Sequence, residues 1–339
     1  MRPAPTRWIT PMRRRDFITL ASGMAVWPLA ARGQQRDRMR KIGVLMAAAE
    51  SDPEIQARVA AFREGLKSLG WTEGRNIEID IRWAPDVDSI QQFAKELVAL
   101  QPDVILAPTA SATASVLQQT RTIPVIFTVV SDPVGGGFVS SFHRPGGNAT
   151  GFIIAEPTMA GKWLELLKEV APRVARVALL FNPTTTPHAE YYLSSIKAVP
   201  ASFGVQAIAA PVHDPSELTS VVAAQAREPN GGLIVMPDFF LFWHRSELVS
   251  LAARDHLPAV YPFRLFAEAG GLLSYGLDLD DNYRRAANYA DRILKGAEPS
   301  ELPVQAPVKF ELVINMKTAK ALGLDVPVGL QQRADKVIE

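Results

Sequence analysis

The chain predicts an α/β fold of two Rossmann-like, doubly wound parallel-sheet lobes joined by three hinge crossovers. Three observations predict it. Short β-branched apolar runs alternate with segments of helical period from Lys41 to Tyr275, the pattern of successive βαβ units. The alternation breaks at the turn cluster Arg144-Pro145-Gly146-Gly147-Asn148 and then restarts at similar length. Roughly 300 residues follow the N-terminal segment, more than one core usually serves.

In the first lobe, Lys41 to Met46 is an apolar strand and Ala47 to Asp52 the loop at its carboxyl end. From Pro53 to Leu69, the residues Ile55, Val59, Phe62, Leu66 and Leu69 share one helix face. Pro53 suits the first turn and Gly70 the C-terminal cap. Asn76 to Trp83 alternates apolar with polar residues, as in a half-wet strand. A helix with Ile90, Phe93, Leu97 and Leu100 follows, then a strand from Asp103 to Ala107 and a helix from Ser111 to Thr120. Val125 to Val130 is the next strand, and Ser131-Asp132-Pro133 breaks it. The strand from Ala149 to Ile154 then opens the second lobe.

There the alternation repeats. Helices are expected over Lys162–Val170, Tyr191–Phe203, Glu217–Arg227 and Arg245–His256. Strands are expected over Val174–Phe181, Val205–Pro211, Gly231–Met236, Pro258–Tyr261 and Gly271–Tyr275. A helix from Asp281 to Lys295 returns to the first lobe, and the chain finishes on the second. This assigns residues 40–148 and 275–303 to the first lobe and 150–273 and 307–326 to the second. Residues 327–339 are left as a tail. The crossovers fall near Gly147–Gly151, Leu273–Tyr275 and Leu302–Pro307.

Residues 1–33 read as an export signal. Arg13, Arg14 and Arg15 precede an apolar stretch from Phe17 to Leu29, with the small residues Ala31 and Gly33 before Gln34. Arg14-Arg15-Asp16-Phe17 resembles the twin-arginine pattern. The stretch is short for a membrane span, which needs about 20 residues, and either Met1 or Met12 can be the start. With no cysteine, a lipid anchor on Cys, disulfides and thiolate catalysis are excluded. A net charge of +1 at 47% hydrophobic and 21% charged residues excludes a strong nucleic-acid or membrane field. The expected location is periplasmic, exported, soluble and not a lipoprotein.

In open α/β sheets, ligands bind beyond the carboxyl ends of the strands. Glu50 lies in the first such loop. Thr109 and Ser111 sit where a strand feeds a helix N-terminus, able to hold a carboxylate or simply to cap. Asp132 can face an ammonium or close an Asx-turn. In the second lobe the strand-end loops carry Asn182 and Asp238, while Tyr275 and Asp278 lie at the later crossing. Phe239, Phe240, Trp243, Tyr261 and Tyr275 offer rings, for stacking or for packing. The histidines at 143, 188, 213, 244 and 256 show no metal-ligand spacing. No nucleophile elbow, P-loop or dinucleotide fingerprint is present. No enzyme activity, metal or cofactor is therefore expected.

Several long blocks carry a resemblance: IPVIFTVVSDPVGGGFVSSFHRPGGNATGF, GKWLELLKEVAPRVARVALLFNP, SYGLDLDDNYRRAANYADRILKGAEPSELPVQAPVKFELVINMKTAKALGLDVP and ADKVIE. They are similar to the ABC transporter substrate-binding protein family that includes tryptophan- and tyrosine-type receptors. The resemblance implies a periplasmic binding protein type I fold, a ligand in the interlobe cleft, and a permease and ATPase at the membrane as partners. It carries over to Thr109, Ser111 and Asp132, and to Tyr275 and Asp278 in SYGLD. The segment from Ile153 to Met159, with Glu156, departs from the Ser/Thr-rich form of that family. The Ala-rich first loop ending in Glu50 also offers few hydroxyls. Both shift the expected ligand toward one less acidic, or more apolar, than a free amino acid. The function expected is a periplasmic receptor, a monomer, that captures an amino-acid-like or aromatic small molecule. The alternatives are a ligand-sensing domain for a signalling partner and an exported α/β hydrolase or isomerase, which would need Glu156, Asp132 and Asp238 to converge.

Overall fold

A computed structural model describes residues 38–339 except 187, 200–202 and 228. The expected export signal lies outside the described residues. The first lobe is built on β1 (Arg40–Met46), β2 (Ile77–Trp83), β3 (Val104–Leu106), β4 (Val125–Val130) and β5 (Ala149–Ile153). All pair in parallel, in the order β2-β1-β3-β4-β5. Alternation along β1 splits the core. Ile42, Val44 and Met46 join the cluster under α1 (Pro53–Ser68). Leu45 and Ala47 join the cluster under α2 (Val87–Ala99) and α3 (Ala110–Gln119). Buried on both faces, such strands read as continuous apolar runs.

The second lobe holds β6 (Arg176–Phe181), β7 (Gln206–Pro211), β8 (Gly231–Val235), β9 (Ala259–Tyr261), β10 (Leu273–Leu277), β11 (Phe310–Asn315) and β12 (Lys336–Ile338). The sheet order is β12-β11-β10-β9-β8-β6-β7, antiparallel only between β10 and β11. Its helices are α4 (Met159–Val170), α5 (Ala189–Lys197), α6 (Pro215–Ala226), α7 (Phe239–Trp243), α8 (Arg245–Arg254) and α9 (Arg264–Glu268). α10 (Leu279–Leu294) returns to the first lobe, against α1 and β4. α11 (Met316–Ala321) and α12 (Val328–Arg333) close the chain with β12.

Three placements differ from those expected. The strand from Ala149 does not open the second lobe. It pairs with β4 as the edge of the first sheet. The β4–β5 connection is a string of turns without a helix, so the sequence lacks the usual sign of another βαβ unit. The first crossing therefore comes after Ile153, on the way into α4. The second comes at Asp278 rather than Leu273–Tyr275, because β10 completes its pairing with β9 and β11 first. The residues after 326 are no tail: α12 leads into β12, which extends the second sheet beside β11.

The third crossing is stitched to the first lobe before it leaves. The Thr150 hydroxyl donates to the Leu302 carbonyl, Gln305 N–H to Gly151 and Ile153 N–H to Gln305. Gly276 marks the tightest backbone approach near a crossover. A Cβ there would lie 1.7 Å from the Pro262 carbonyl oxygen. Since that oxygen belongs to backbone, no side-chain rotation relieves the clash. Gly276→Ala is expected to cost about 2–3 kcal/mol. Urea unfolding should show a lower midpoint at unchanged slope.

Candidate ligand-binding site

Both sheets point the carboxyl ends of their parallel strands toward a chamber of about 480 Å³ between the lobes. This lies within the usual range for small-molecule pockets, about 300–1,000 Å³. The first lobe contributes the end of β4 and the loop after it: Val129, Val130, Ser131, Asp132, Gly135 and Phe138. The second contributes the loop after β6 and the start of α5, with Thr185, His188, Glu190 and Tyr191, and the loop after β8, with Pro237 and Phe239. Strand order reverses between β6 and β8, so the chamber sits at a topological switch point.

Asp132 is aimed by its own turn. Its Oδ1 accepts the Gly135 N–H at 2.7 Å. A Cβ on Gly135 would come within 2.1 Å of Oδ2, so the glycine is what lets the carboxylate fold back over the loop. Among the described residues, Asp132 and Glu190 are the charged ones on the chamber wall, and no Lys or Arg lines it. Glu190 lies 3.8 Å from Lys197. His188 faces Asp132, yet burial outweighs the pull of Asp132 and Asp238 and lowers its pKa. The ring is neutral at pH 7, and its Nε2 is buried with no hydrogen-bond partner.

A second carboxylate organises the wall from behind. Asp238 is 3% exposed. It accepts the Asn182 and Leu241 N–H groups and the hydroxyls of Thr185 and Thr186. Asn182 in turn donates to the His213 carbonyl and accepts the N–H groups of Thr184 and Thr185. These bonds lock the loop after β6 to the loop after β8. Breaking such a knot strands several buried donors.

Of the residues read from the sequence, the structure brings Asp132 to the chamber wall, with Phe239 beside it. Thr109 caps α3, accepting the Ala112 N–H and lying 3.0 Å from the Ser111 hydroxyl. The capping role takes its oxygen, and its neighbour Ala110 lines the chamber instead. Glu50 is exposed, and its carbonyl takes the Gln56 amide. Glu156 is exposed. Asn182 and Asp238 are consumed by their own knot, so no hydrogen bond joins Asp132, Glu156 and Asp238 among the described residues. Tyr275 stacks on Phe310 at 5.7 Å. Asp278 caps α10 and grips Lys309 at 2.7 Å. Among the rings, Tyr261 is core against Phe266, Phe240 packs on His244, and Trp243 is exposed.

Thr185, His188, Glu190 and Tyr191 line the chamber without belonging to any sequence motif. The one signal for them was their place, just after a strand that ends at Asn182. In the sequence His188 is one of five histidines without metal-ligand spacing, and nothing local sets it apart.

Residues 41–338 match the family described as ABC transporter substrate binding protein. The "Tyrosine-binding protein" of Clostridioides difficile (strain R20291) is 25% identical over 274 residues, covering 80% of this chain and 78% of that protein. Among solved structures, an ABC domain in complex with L-Trp from Streptococcus pneumonia superposes with a TM-score of 0.80 at 25% identity, covering 89% of this chain and 100% of that one. A conserved domain protein from Vibrio cholerae O1 biovar eltor gives 0.79 at 27% identity, covering 88% and 100%.

Asp278 supplies a pH prediction. Burial opposes its charge, but the Lys309 hydrogen bond, the Asp281 N–H and the charges of Lys309 and Arg284 prevail and hold its pKa below 3.8. A depressed carboxyl stabilises the fold above its unfolded pKa, and that stability is lost as pH falls through the folded value. Asp278→Asn should cost about 1–2 kcal/mol at pH 7, allowing for the exposure of Lys309. The gap from wild type should shrink below about pH 4. Urea titrations at pH 7 and pH 3 check this, and an equal gap at both would contradict it.

Proposed function

The chain belongs to the ABC transporter substrate-binding protein family, and from that premise we propose that its cleft captures an amino-acid-like or aromatic small molecule. The family makes it a solute receptor of an ABC transport system rather than an enzyme. The finer reading is a monomer, exported to the periplasm, that hands its ligand to a permease coupled to an ATPase. No described helix is long and apolar enough to cross a membrane.

The observation that carries the ligand class is the chamber wall itself. The rings of Phe138, Tyr191 and Phe239 and the aliphatic Val129, Val130 and Ile154 line one cavity together with Ser131, Asp132, Thr185 and His188. Rings supply large apolar contact at low entropic cost. Asp132 supplies an acceptor for an ammonium, and the buried Nε2 of His188 a polar group that a ligand can satisfy. The relatives' own ligands, tyrosine and L-Trp by their names, fit such a wall. Binding requires only that the closed cleft hold the solute better than the open one, with the three crossovers as hinge.

Thermal shift and calorimetry test this with L-tryptophan, L-tyrosine, phenethylamine, aromatic and aliphatic carboxylates, and their amides. A ligand at about 100 times its Kd adds about 2.7 kcal/mol of stability. Phe239→Ala should weaken a binder about tenfold. Asp132→Asn should weaken amine-bearing ligands about tenfold or more and leave their des-amino analogues unchanged. Silence from the whole panel would sink the ligand class. An equal effect of Asp132→Asn on both analogues would remove Asp132 from the contact set.

A further inference from the structure

Arg58 lies on α1, facing the junction of the lobes, and is 4% exposed. Among the described residues it has no carboxylate within ion-pair distance and no hydrogen bond. The acids nearest in charge, Asp280 and Glu54, each turn to Arg264, at 3.6 and 3.8 Å. What Arg58 touches is the ring of Phe242, 5.5 Å from the guanidinium carbon, a ring that also carries Arg245 at 4.8 Å. Burial pushes the Arg58 pKa down more than Tyr283 and the nearby carboxylates Asp280, Glu54 and Asp52 raise it, but a guanidinium stays charged at neutral pH. A buried cation without hydrogen bonds is costly, and native structures rarely keep one without a reason.

The reason lies in where the guanidinium faces. Arg58 borders a recess whose walls include Val129, Ile154, Pro237 and Phe239. Those same residues line the main chamber, so the recess is the chamber's floor. Its free space is about 20 Å³, enough for a group the size of one water. Asp238 also borders it, but its oxygens are occupied by the N–H and hydroxyl donors of its knot. Chamber and recess together carry one cationic side chain among the described residues, Arg58.

We propose that Arg58 anchors a carboxylate of the captured solute, whose apolar or aromatic body fills the chamber while its acid group sits where chamber and recess meet, with one oxygen reaching into the recess. The proposal rests on the reading that this cleft holds the solute. Guanidinium and carboxylate match in a planar, two-bond pairing. That pairing would satisfy Arg58 only when the cleft is filled. Ligand binding would thereby remove an energetic defect of the empty protein.

The test uses Arg58→Met and Arg58→Lys in the mature protein, with calorimetry on matched pairs such as indole-3-acetate and indole-3-acetamide, and 3-phenylpropionate and its amide. A carboxylate should bind at least about thirtyfold more tightly than its amide, as expected for a charged hydrogen-bonded pair. Arg58→Met should erase that difference and Arg58→Lys should keep part of it. Melting of the ligand-free proteins gives a readout that needs no ligand. Removing an unpaired buried charge should leave Arg58→Met melting no lower than wild type, whereas a structural role through Phe242 would lower it. A clearly lower melting temperature, equal binding of acid and amide, or carboxylate affinity retained in Arg58→Met each overturns the assignment. Binding of amides or amines alone overturns it while sparing the chamber. Silence from every compound overturns the chamber reading and this assignment with it.

Discussion

A single carboxylate ties two of the connections between the lobes together. Asp278 ends β10 at the second crossover and caps α10 by accepting the Asp281 N–H. It also holds the Lys309 ammonium from the third crossover at 2.7 Å and lies 3.5 Å from Arg284 on α10. The backbone repeats the link, since Asp278 N–H donates to the Lys309 carbonyl. Two crossovers are thus bonded to each other, and the helix that leaves them packs on α1. α10 thereby joins the two crossovers to α1, the helix that carries Arg58.

The cleft walls are stiff by comparison. The Asp238 knot locks two loops of the second lobe, and the Asp132–Gly135 turn fixes one loop of the first. Loops braced in this way present groups without having to order them when a solute arrives, which lowers the entropic cost of capture. The stiffness leaves His188 with a buried nitrogen unmatched. Together with Arg58, it forms a set of polar groups that the protein alone leaves incomplete. A receptor gains from such incompleteness, because each unmet group favours the filled state over the empty one.

Most of the architecture was legible from period and punctuation. Apolar runs at β1, β4, β6 and β8 mark strands, and Pro53 and Gly70 bracket α1, because burial on both faces of a parallel sheet leaves little choice of residue. What escaped depends on partners far off in sequence. Whether Ala149–Ile153 pairs with β4 or starts a new sheet is decided by register, and its residues suit both. Lys336–Ile338 is too short to declare itself. The site was less legible than the fold, because the acids that stand out in a sequence are the ones proteins often use as caps. Asp238 and Asp278 take that role, and Thr109 caps likewise. The residues on the wall, such as Thr185, Tyr191 and Gly135, are ordinary types made informative only by position.

Arg58 shows the same limit most sharply. In the sequence it is one arginine on an amphipathic helix, in a stretch that also carries Arg63, with nothing to set it apart. The Ala-rich loop before that helix offers few hydroxyls for an acid group, which argues for a ligand less acidic than an amino acid. Yet poverty in the loop and wealth in the helix behind it are compatible. Small side chains at Ala47 and Ala48 bury without offering hydrogen-bond donors, which in the proposed pairing leaves recognition of an anion to the guanidinium. Hydroxyls bind a carboxylate weakly and without cost when empty. A buried guanidinium binds it more strongly, but the empty receptor must then carry an uncompensated charge. With Arg58 as the anchor, the empty receptor would give up some stability in return for a larger difference between empty and filled, and a difference of that kind is what favours the ligand-bound state.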